Sequence, residues 1–270
     1  MKKNYVKKSD IKLKKRKKSS HKGENGEVLI IGGSEDYVGC LALAGLAALR
    51  TGIDWVTVAA PEKVGWALHT LTPDLVVKKF KGNHFTDSHV NNIVDLSRKF
   101  DAVLVGNGIG LKSVSFVRKI VQRINKPIVI DADGVKAVKL SEVRNAILTP
   151  HKGEYKRLLK NSGIDEKQLQ KSINGNTILV TGPVDRIIAR GKVKYNRTGD
   201  AGMTVGGTGD VLAGLAVGFL AQGYSKFDSA CWAAYINGKL GEQLRKKKGY
   251  SFIASDLVQD LEKILGKKRF

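Results

Sequence analysis

The chain has 270 residues, of which 42% are hydrophobic, and its 47 Lys plus Arg against 25 Asp plus Glu give a formal charge of +22. That length and composition suit a globular protein of one to two domains, which buries roughly three quarters of its unfolded surface and needs no covalent staple. Two cysteines, Cys40 and Cys231, exclude a disulfide scaffold and hold no CxxC metal spacing, so a reducing, cytoplasmic compartment is expected.

Residues 1–22 form a basic arm in which eleven Lys and Arg stand beside a single acid, Asp10. Val6, Ile11 and Leu13 are scattered along it, and they do not make the apolar stretch of a secretory signal. The longest apolar stretches, such as Val211 to Ala221, are broken by glycine and fall short of the roughly 20 residues needed to cross a membrane. No membrane partner is expected. Net charge of this kind reports association tendency rather than fold. With no C2H2 finger, KH clamp or RNP aromatic pair, the lysines read as a solvated surface, and nucleic acid is not the expected partner. Residues 23–270 read as one domain.

In chain order, Glu27 to Ile31 is a buried strand stopped by Gly32-Gly33, and Gly39 to Thr51 is an Ala/Leu helix closed by Gly52. Trp55 to Ala59 is a strand ending before Pro61, and the short apolar strand recurs at Asp101 to Val105, Pro127 to Ile130 and Ala146 to Leu148, with helical segments between. Asn176 to Val180 and Arg186 to Ala189 follow, and Arg190-Gly191-Lys192 reads as a turn into Val193 to Tyr195. Val211 to Gln222, Lys226 to Gln243 and Ala254 to Leu265 have the length and apolar recurrence of covering helices. Continuous apolar strands alternating with helices imply an α/β fold whose mainly parallel sheet is covered on both faces, because such strands cannot present one face to water.

Ligands of such sheets bind beyond the carboxyl ends of the strands. Four polar or glycine-rich segments fall there: Gly32 to Gly39, Gly106 to Gly110, Thr149 to Glu154 and Asn196 to Asp210. The last is the sharpest. Gly206, Gly207 and Gly209 let backbone amides approach an anion just where a helix opens, and the positive end of that helix favours phosphate oxygens. Thr208 would add a hydroxyl. Asp210 stands at the helix entrance, where a carboxylate can take the proton of an alcohol as its oxygen begins to bond to phosphorus; the plainer alternative is a helix N-cap. The loop is not a Walker A motif, and Gly106-Asn-Gly-Ile-Gly110 does not fit the dinucleotide GxGxxG pattern.

The other candidates carry two readings each. Gly39, Gly106 and Gly110 are either close-approach points for a ligand or tight turns. His151, beyond Pro150, is a donor to a ligand amide or ribose, or a capping histidine. Glu154 caps the next helix or organises water near a metal, and Asp131 and Asp133 are metal-phosphate contacts or caps. Asn196 lies close enough to the glycine loop to touch a ligand. Cys40 reads as a packing residue, and His21, His69, His84 and His89 form no zinc pattern.

Taken together, Val28-Leu-Ile-Ile-Gly-Gly-Ser34, Gly106-Asn-Gly-Ile-Gly110, Asp131-Ala-Asp-Gly134, Leu148-Thr-Pro-His-Lys-Gly-Glu154 and Gly202-Met-Thr-Val-Gly-Gly-Thr-Gly-Asp-Val-Leu-Ala-Gly214 resemble the ADP/ATP-dependent NAD(P)H-hydrate dehydratases of the ribokinase-like superfamily. The resemblance runs from about Glu27 to about Leu265. It implies a ribokinase-like three-layer α/β/α fold and a repair reaction on hydrated NADH or NADPH. In that reaction ADP, or ATP in some relatives, phosphorylates the hydrate hydroxyl, and phosphate then leaves. It further implies that Cys40, Gly108, His151 and Asp210 line the hydrated dinucleotide and that Gly209 contacts the AMP part of the donor. Mg2+ accompanies the donor, with ligands unassigned, and a homo-oligomer and a separate epimerase partner are expected.

Three positions depart from the family pattern. Thr181 replaces a lysine near the donor nucleotide, so donor affinity or orientation differs unless Arg186 or Arg190 approaches. Asn107 replaces the proline of a GPGLG-like loop, and Cys40 replaces a small residue. Another small-molecule kinase of the same fold, or a nonenzymatic nucleic-acid-binding protein, are the alternative functions.

Overall fold

The inner strands of the central sheet are short apolar runs that a glycine, proline or polar residue stops, and the helices between them pack apolar faces back onto it. A computed structural model describes residues 3–266. The first half runs β1 (Glu27–Ile31), α1 (Gly39–Arg50), β2 (Trp55–Pro61), α2 (Glu62–Leu71), β3 (Val76–Phe80), α3 (Val90–Ser97), β4 (Ala102–Val105), α4 (Val114–Arg123), β5 (Ile128–Ile130) and α5 (Asp133–Ala137). The second runs β6 (Ala146–Leu148), α6 (Lys152–Ser162), α7 (Leu169–Ser172), β7 (Thr177–Val180), β8 (Asp185–Ala189), β9 (Lys192–Asn196), α8 (Thr208–Ala221), α9 (Lys226–Lys248) and α10 (Ala254–Leu265).

The nine strands lie in the order β3-β2-β1-β4-β5-β6-β7-β8-β9. β1 to β7 are parallel, and β8 and β9 add an antiparallel hairpin at one edge. Successive residues point to opposite faces: Val28 and Ile30 join the core beneath α1, α2, α8, α9 and α10, whereas Leu29 and Ile31 join the core beneath α3 to α7. This is the two-sided burial that the continuous apolar strands required. β1 lies between β2 and β4, so the direction of winding reverses there, and the crevice beyond the ends of β1 and β4 is where this class of sheet binds ligands.

The elements match the expected order, with differences at their ends. α8 begins three residues before the expected Val211, and it is buried from Val211 to Ala221, as a helix that is apolar all round must be. α9 runs to Lys248 rather than Gln243, and its last turn carries Arg245 to Lys248, which the negative end of the helix favours. β3 was not visible in the sequence. Its Val-Val-Lys-Lys-Phe pattern is weak because it is an edge strand, and lysines there discourage pairing with another chain.

The basic arm lies against the domain. Val6 and Ile11 are buried, Val6 N–H donates to the Tyr195 carbonyl (2.8 Å), and Tyr195 N–H donates to the Asn4 carbonyl (2.9 Å), which covers part of the free edge of β9. Trp232 Nε1 donates to the Asp10 carbonyl (2.9 Å), Lys194 pairs with Asp10 (2.9 Å), and Arg16 pairs with Asp54. Among the described residues no helix is long and apolar enough to cross a membrane.

Packing of α1 on α8 is backbone-close. A Cβ built on Gly214 would stand 2.2 Å from the Ala44 carbonyl oxygen, which as part of α1 cannot swing aside. Alanine raises helix propensity by about 1 kcal/mol, and overpacking costs about 1–3 kcal/mol. Gly214→Ala is therefore expected to lower the urea midpoint, with a net loss of up to about 2 kcal/mol; a raised midpoint would refute this account of the interface.

Candidate active site

Several loops are stitched together at the carboxyl ends of the strands by continuing the sheet's own hydrogen bonding. Gly106 N–H donates to the Ile31 carbonyl (3.1 Å), Asp131 N–H to Val105 (3.0 Å), Thr149 N–H to Ile130 (3.1 Å) and Thr181 N–H to Pro150 (2.9 Å). Gly33 N–H donates to the Asn107 carbonyl (2.9 Å), tying the loop after β1 to the loop after β4. Gly106 has φ +120°, and a Cβ there would stand 2.1 Å from the Asp131 carbonyl oxygen, so only glycine lets the two loops meet. Ala132 holds φ 48° without being glycine, a strained conformation that costs about 1–3 kcal/mol.

Asp210 reaches this junction from α8. It occupies the third position of the helix, whose N-cap is Gly207 and has no side-chain cap, so the N-cap alternative for Asp210 is excluded. Its Oδ1 accepts a hydrogen bond from Asn107 Nδ2 (2.7 Å). The same Nδ2 donates to Asp131 Oδ2 (2.8 Å), and Thr149 Oγ1 donates to Asp131 Oδ1 (2.7 Å). Asn107 is 0% exposed. Burial pushes the Asp131 carboxyl up to about 7, assisted by the charges of Asp210 and Glu154 and opposed by the Thr149 bond. Burial also raises Asp210 above the usual carboxylate range, against the bond from Asn107. Asp131 is thus neither a cap nor an exposed metal contact. Asn107, read from the sequence only as a replacement of the family proline, and Thr149, read only as the start of a ligand segment, are the members of this network whose roles the sequence did not reveal. The available signal was an asparagine and a threonine placed directly at the ends of wholly apolar strands.

The glycine loop opens α8. Gly206 and Gly209 have open space around them, while Gly207 has φ +94° and meets Leu43 and Ala254. The first-turn amides of Thr208, Gly209 and Asp210 have no acceptor within the helix, so an anion can take them. The Thr208 hydroxyl is different from expectation: it donates to the Met203 carbonyl (2.8 Å), which ties the loop to the helix and leaves it no hydrogen for a phosphate. Cys40, at the start of α1 beside Gly39, lies against Gly108, where a Cβ would come 2.6 Å from its Sγ. Burial, with the Asp210 charge, drives the Cys40 thiol up and keeps it protonated, which suits packing and not nucleophilic attack.

The remaining candidates divide. His151 is the N-cap of α6: its Nδ1 accepts from Gly153 N–H (2.9 Å), and its Nε2 stays 3.5 Å from Glu154 Oε1. Its capping alternative is therefore realised, and the ring remains exposed, while the His151 and Thr181 backbones pair in a parallel bridge. Glu154 is buried, accepts from His151 N–H (3.2 Å) and faces Lys136 (3.5 Å). Asp133 accepts from Gly110 N–H (3.1 Å), which fixes the loop after β4. Asn196 is a correction: it is fully buried, donates to Asp185 (2.9 Å) and Ala234 (3.1 Å) and accepts from Thr198, so it has no free group for a ligand. Burial of that Asp185 raises its carboxyl to about 6. Arg186 pairs with Glu166 (2.5 Å) and lies over the Tyr155 ring, so its charge is already matched, and Arg190 sits at the hairpin turn, the far end of β8 from Thr181.

A desolvated carboxylate beside unsatisfied helix-end amides can deprotonate an alcohol while the amides hold phosphate oxygens. The family model described as NAD(P)H-hydrate dehydratase matches residues 28–264. The chain belongs to the NAD(P)H-hydrate dehydratase family. It is 34% identical to the ADP-dependent (S)-NAD(P)H-hydrate dehydratase of Cenarchaeum symbiosum, over 93% of this chain and 92% of that protein. It is 39% identical to the bifunctional NAD(P)H-hydrate repair enzyme Nnr of Methanothermobacter thermautotrophicus, over 94% of this chain but 52% of that protein. The chain thus spans about half the length of such bifunctional relatives. Among solved structures it shares its fold with the ADP/ATP-dependent NAD(P)H-hydrate dehydratase of Bacillus subtilis co-crystallized with ATP/Mg2+, at TM-score 0.79 and 23% identity over 99% of each chain. A ribokinase-like superfamily protein of Enterococcus faecalis aligns at TM-score 0.84 and 24% identity, over 98% of this chain and 96% of that one. The ribokinase-like α/β expectation therefore holds for this member of the dehydratase family.

The buried acid of this dehydratase-family site has a consequence for stability. Burial pushes the folded Asp131 carboxyl up to about 7, whereas in the unfolded chain it returns to the ordinary aspartate value of about 4, so between those values the folded chain holds a proton that the unfolded chain has lost. Stability therefore falls as pH rises from about 4 to 7. Asp131→Asn removes this contribution. The variant is expected to gain on the wild type between pH 5 and pH 8, read as the difference between their urea midpoints; a difference independent of pH would contradict the burial assignment.

Proposed function

We propose that this chain is an ADP-dependent (S)-NAD(P)H-hydrate dehydratase that returns hydrated NADH or NADPH to NAD(P)H, with AMP and phosphate as the other products. The observation that carries this reading is the Asp210 carboxylate, partly desolvated and one residue from Gly209 in the first turn of α8. The near full-length match to the Cenarchaeum symbiosum enzyme supports the choice of substrate and of ADP, with ATP the second donor.

In the proposed reaction the hydrate hydroxyl oxygen attacks the terminal phosphorus of ADP, Asp210 takes the hydroxyl proton, and the bond from that phosphorus to AMP breaks. The amides of the glycine loop and of the helix start, from Gly206 to Gly209, hold the phosphate oxygens as charge develops. Phosphate is a good leaving group where hydroxide is not. The ring nitrogen lone pair then expels it, and loss of a ring proton restores the double bond. Cys40, Gly108 and His151 line the hydrated dinucleotide in this reading, Gly209 meets the AMP portion, and Gly39, Gly106 and Gly110 are the close-approach walls.

Mg2+ belongs to the proposal in a limited form. Among the described residues no three His, Cys, Asp or Glu side chains gather to hold an ion, which suits a hard cation that keeps several waters and is bound by phosphate with one or two carboxylates. Glu154, reached through water, is the acid that would hold it, and the ion would offset phosphate charge while Asp210 stays free to act as the base. The bifunctional relatives, about twice the matched length, support a companion activity on the same hydrate, the separate epimerase of the family resemblance. Self-association rests on that resemblance alone.

The test is recovery of absorbance at 340 nm from purified hydrate with ADP or ATP. Release of AMP and inorganic phosphate separates the dehydratase from a kinase of this fold, which would accumulate a phosphorylated product. Asp210→Asn keeps the shape and removes the base, and turnover is expected to fall by about 100- to 10,000-fold. Near-normal turnover of that variant would remove Asp210 from the mechanism.

A further inference from the structure

We propose that Asn107 is a positioning residue, which fixes the direction of the Asp210 carboxylate by bridging it to the buried Asp131. The inference rests on the dehydratase reading for its consequence in turnover, and on geometry for its substance. An asparagine amide has two N–H bonds, and here its nitrogen serves two carboxylates: Asp210 Oδ1 at 2.7 Å and Asp131 Oδ2 at 2.8 Å. Its donor capacity is used completely. Rotating the amide by half a turn would set its oxygen against both acids, so its orientation is unambiguous. On the far side, Thr149 Oγ1 holds Asp131 (2.7 Å), and Asp131 N–H continues the sheet onto Val105 (3.0 Å). The bridge therefore ties a side chain on α8 to the rigid ends of β4, β5 and β6.

Packing does not explain the residue. Asn107 is fully buried, and its Oδ1 has no hydrogen-bond partner. A leucine of nearly the same shape would avoid that penalty. What leucine lacks is the pair of donors. A lysine would supply a donor too, but its full positive charge would weaken Asp210 as a base. A neutral amide orients the carboxylate, lets it approach a second acid, and leaves it basic. The ionisable groups around Asp210 are consistent with this: the Cys40 thiol on α1 and Asp131 beyond β5 feel its charge, and Glu154 on α6 acts on Asp131. The bond from Asn107 is what opposes the rise that burial imposes on Asp210.

The variant Asn107→Leu keeps the volume and removes both donors. In the full chain, kcat is expected to fall on the order of 100-fold, as for a misplaced reacting group, with KM for hydrate and for ADP little changed. The acid limb of the kcat profile is expected to move to higher pH, because the bond that favoured the ionised form is gone. Direct titration of the Asp210 carboxyl by NMR is expected to move the same way, a readout that general loosening of the fold does not produce and that needs no turnover. Asp131→Asn serves as the second variant: its amide can keep both neighbours while removing the adjacent charge, so the Asp210 titration is expected to move to lower pH. An Asp210 titration unchanged in both variants, or an Asn107→Leu enzyme with wild-type kcat, would overturn the role of Asn107. Wild-type protein that fails to dehydrate the hydrate would instead defeat the dehydratase reading and leave the titrations to judge the bridge.

Discussion

The site depends on how closely two loops approach at Gly106. A side-chain carbon there would stand 2.1 Å from the Asp131 carbonyl oxygen, far inside any tolerable contact. Its absence lets the chain leaving β4 lie against the chain leaving β5, and this is what buries Asn107 between Asp131 and the first turn of α8. Parallel strands make such a junction possible because all their carboxyl ends open on one side of the sheet, and the reversal of winding between β1 and β4 leaves a gap there for a ligand. The strained Ala132 between Asp131 and Asp133 belongs to the same junction. Strain of this kind persists where surrounding structure over-determines it, and here Asp131 is held by Thr149 and Asn107, and Asp133 by Gly110 and Lys136.

Electrostatics at the junction follow from burial rather than from any nearby cation. Two acids share one neutral donor, and removal from water disfavours the ionised form of each. Asp131 is the more deeply buried of the two, and burial is the largest cause of the rise in each. The acid carried on α8 is the less enclosed one, and the one behind it, held by Thr149 and Asn107, serves as an anchor. A cationic partner would have ionised both and made both poor bases. The resulting arrangement is costly to stability and useful to chemistry, which is the usual signature of a reacting carboxylate.

Much of this architecture could be read from the chain alone. Strands such as Val28 to Ile31 and Ala102 to Val105 are apolar at every position, which only a doubly covered parallel sheet can accommodate, and the glycine loop before Val211 announced the helix and its uncapped start. β3 escaped because an edge strand needs no continuous apolar run. The misreadings at the site share one cause. Whether Thr208 offers its hydroxyl to a ligand or to the Met203 carbonyl, and whether Asn196 faces a ligand or is enclosed by Asp185 and Ala234, depends on partners remote in sequence or on loop geometry that spacing does not encode. Asn107 and Asp210 are 103 positions apart, and no local pattern could have joined them.

The donor side of the site poses a problem of charge that the fold answers indirectly. Thr181 brings no cation, Arg186 is matched by Glu166, and Arg190 lies at the other end of its strand. What remains locally is the partial positive end of α8, a fixed dipole that acts over about one turn. At longer range the whole chain carries +22, and the basic arm that contributes much of it is pinned by Val6, Ile11 and the Trp232 bond to Asp10. Such a field draws a polyphosphate toward the protein, but salt screens it within about 8 Å at physiological strength. Field and dipole act over different ranges: surface charge bears on the rate of encounter with an anion, whereas the uncapped first turn of α8 offers backbone amides to an oxygen at contact. Backbone donors are placed by chain geometry rather than by a charged side chain, and that geometry rests on glycines at both loops: Gly207, which meets Leu43 and Ala254 at the start of α8, and Gly106, which lets Asn107 be buried beside Asp131.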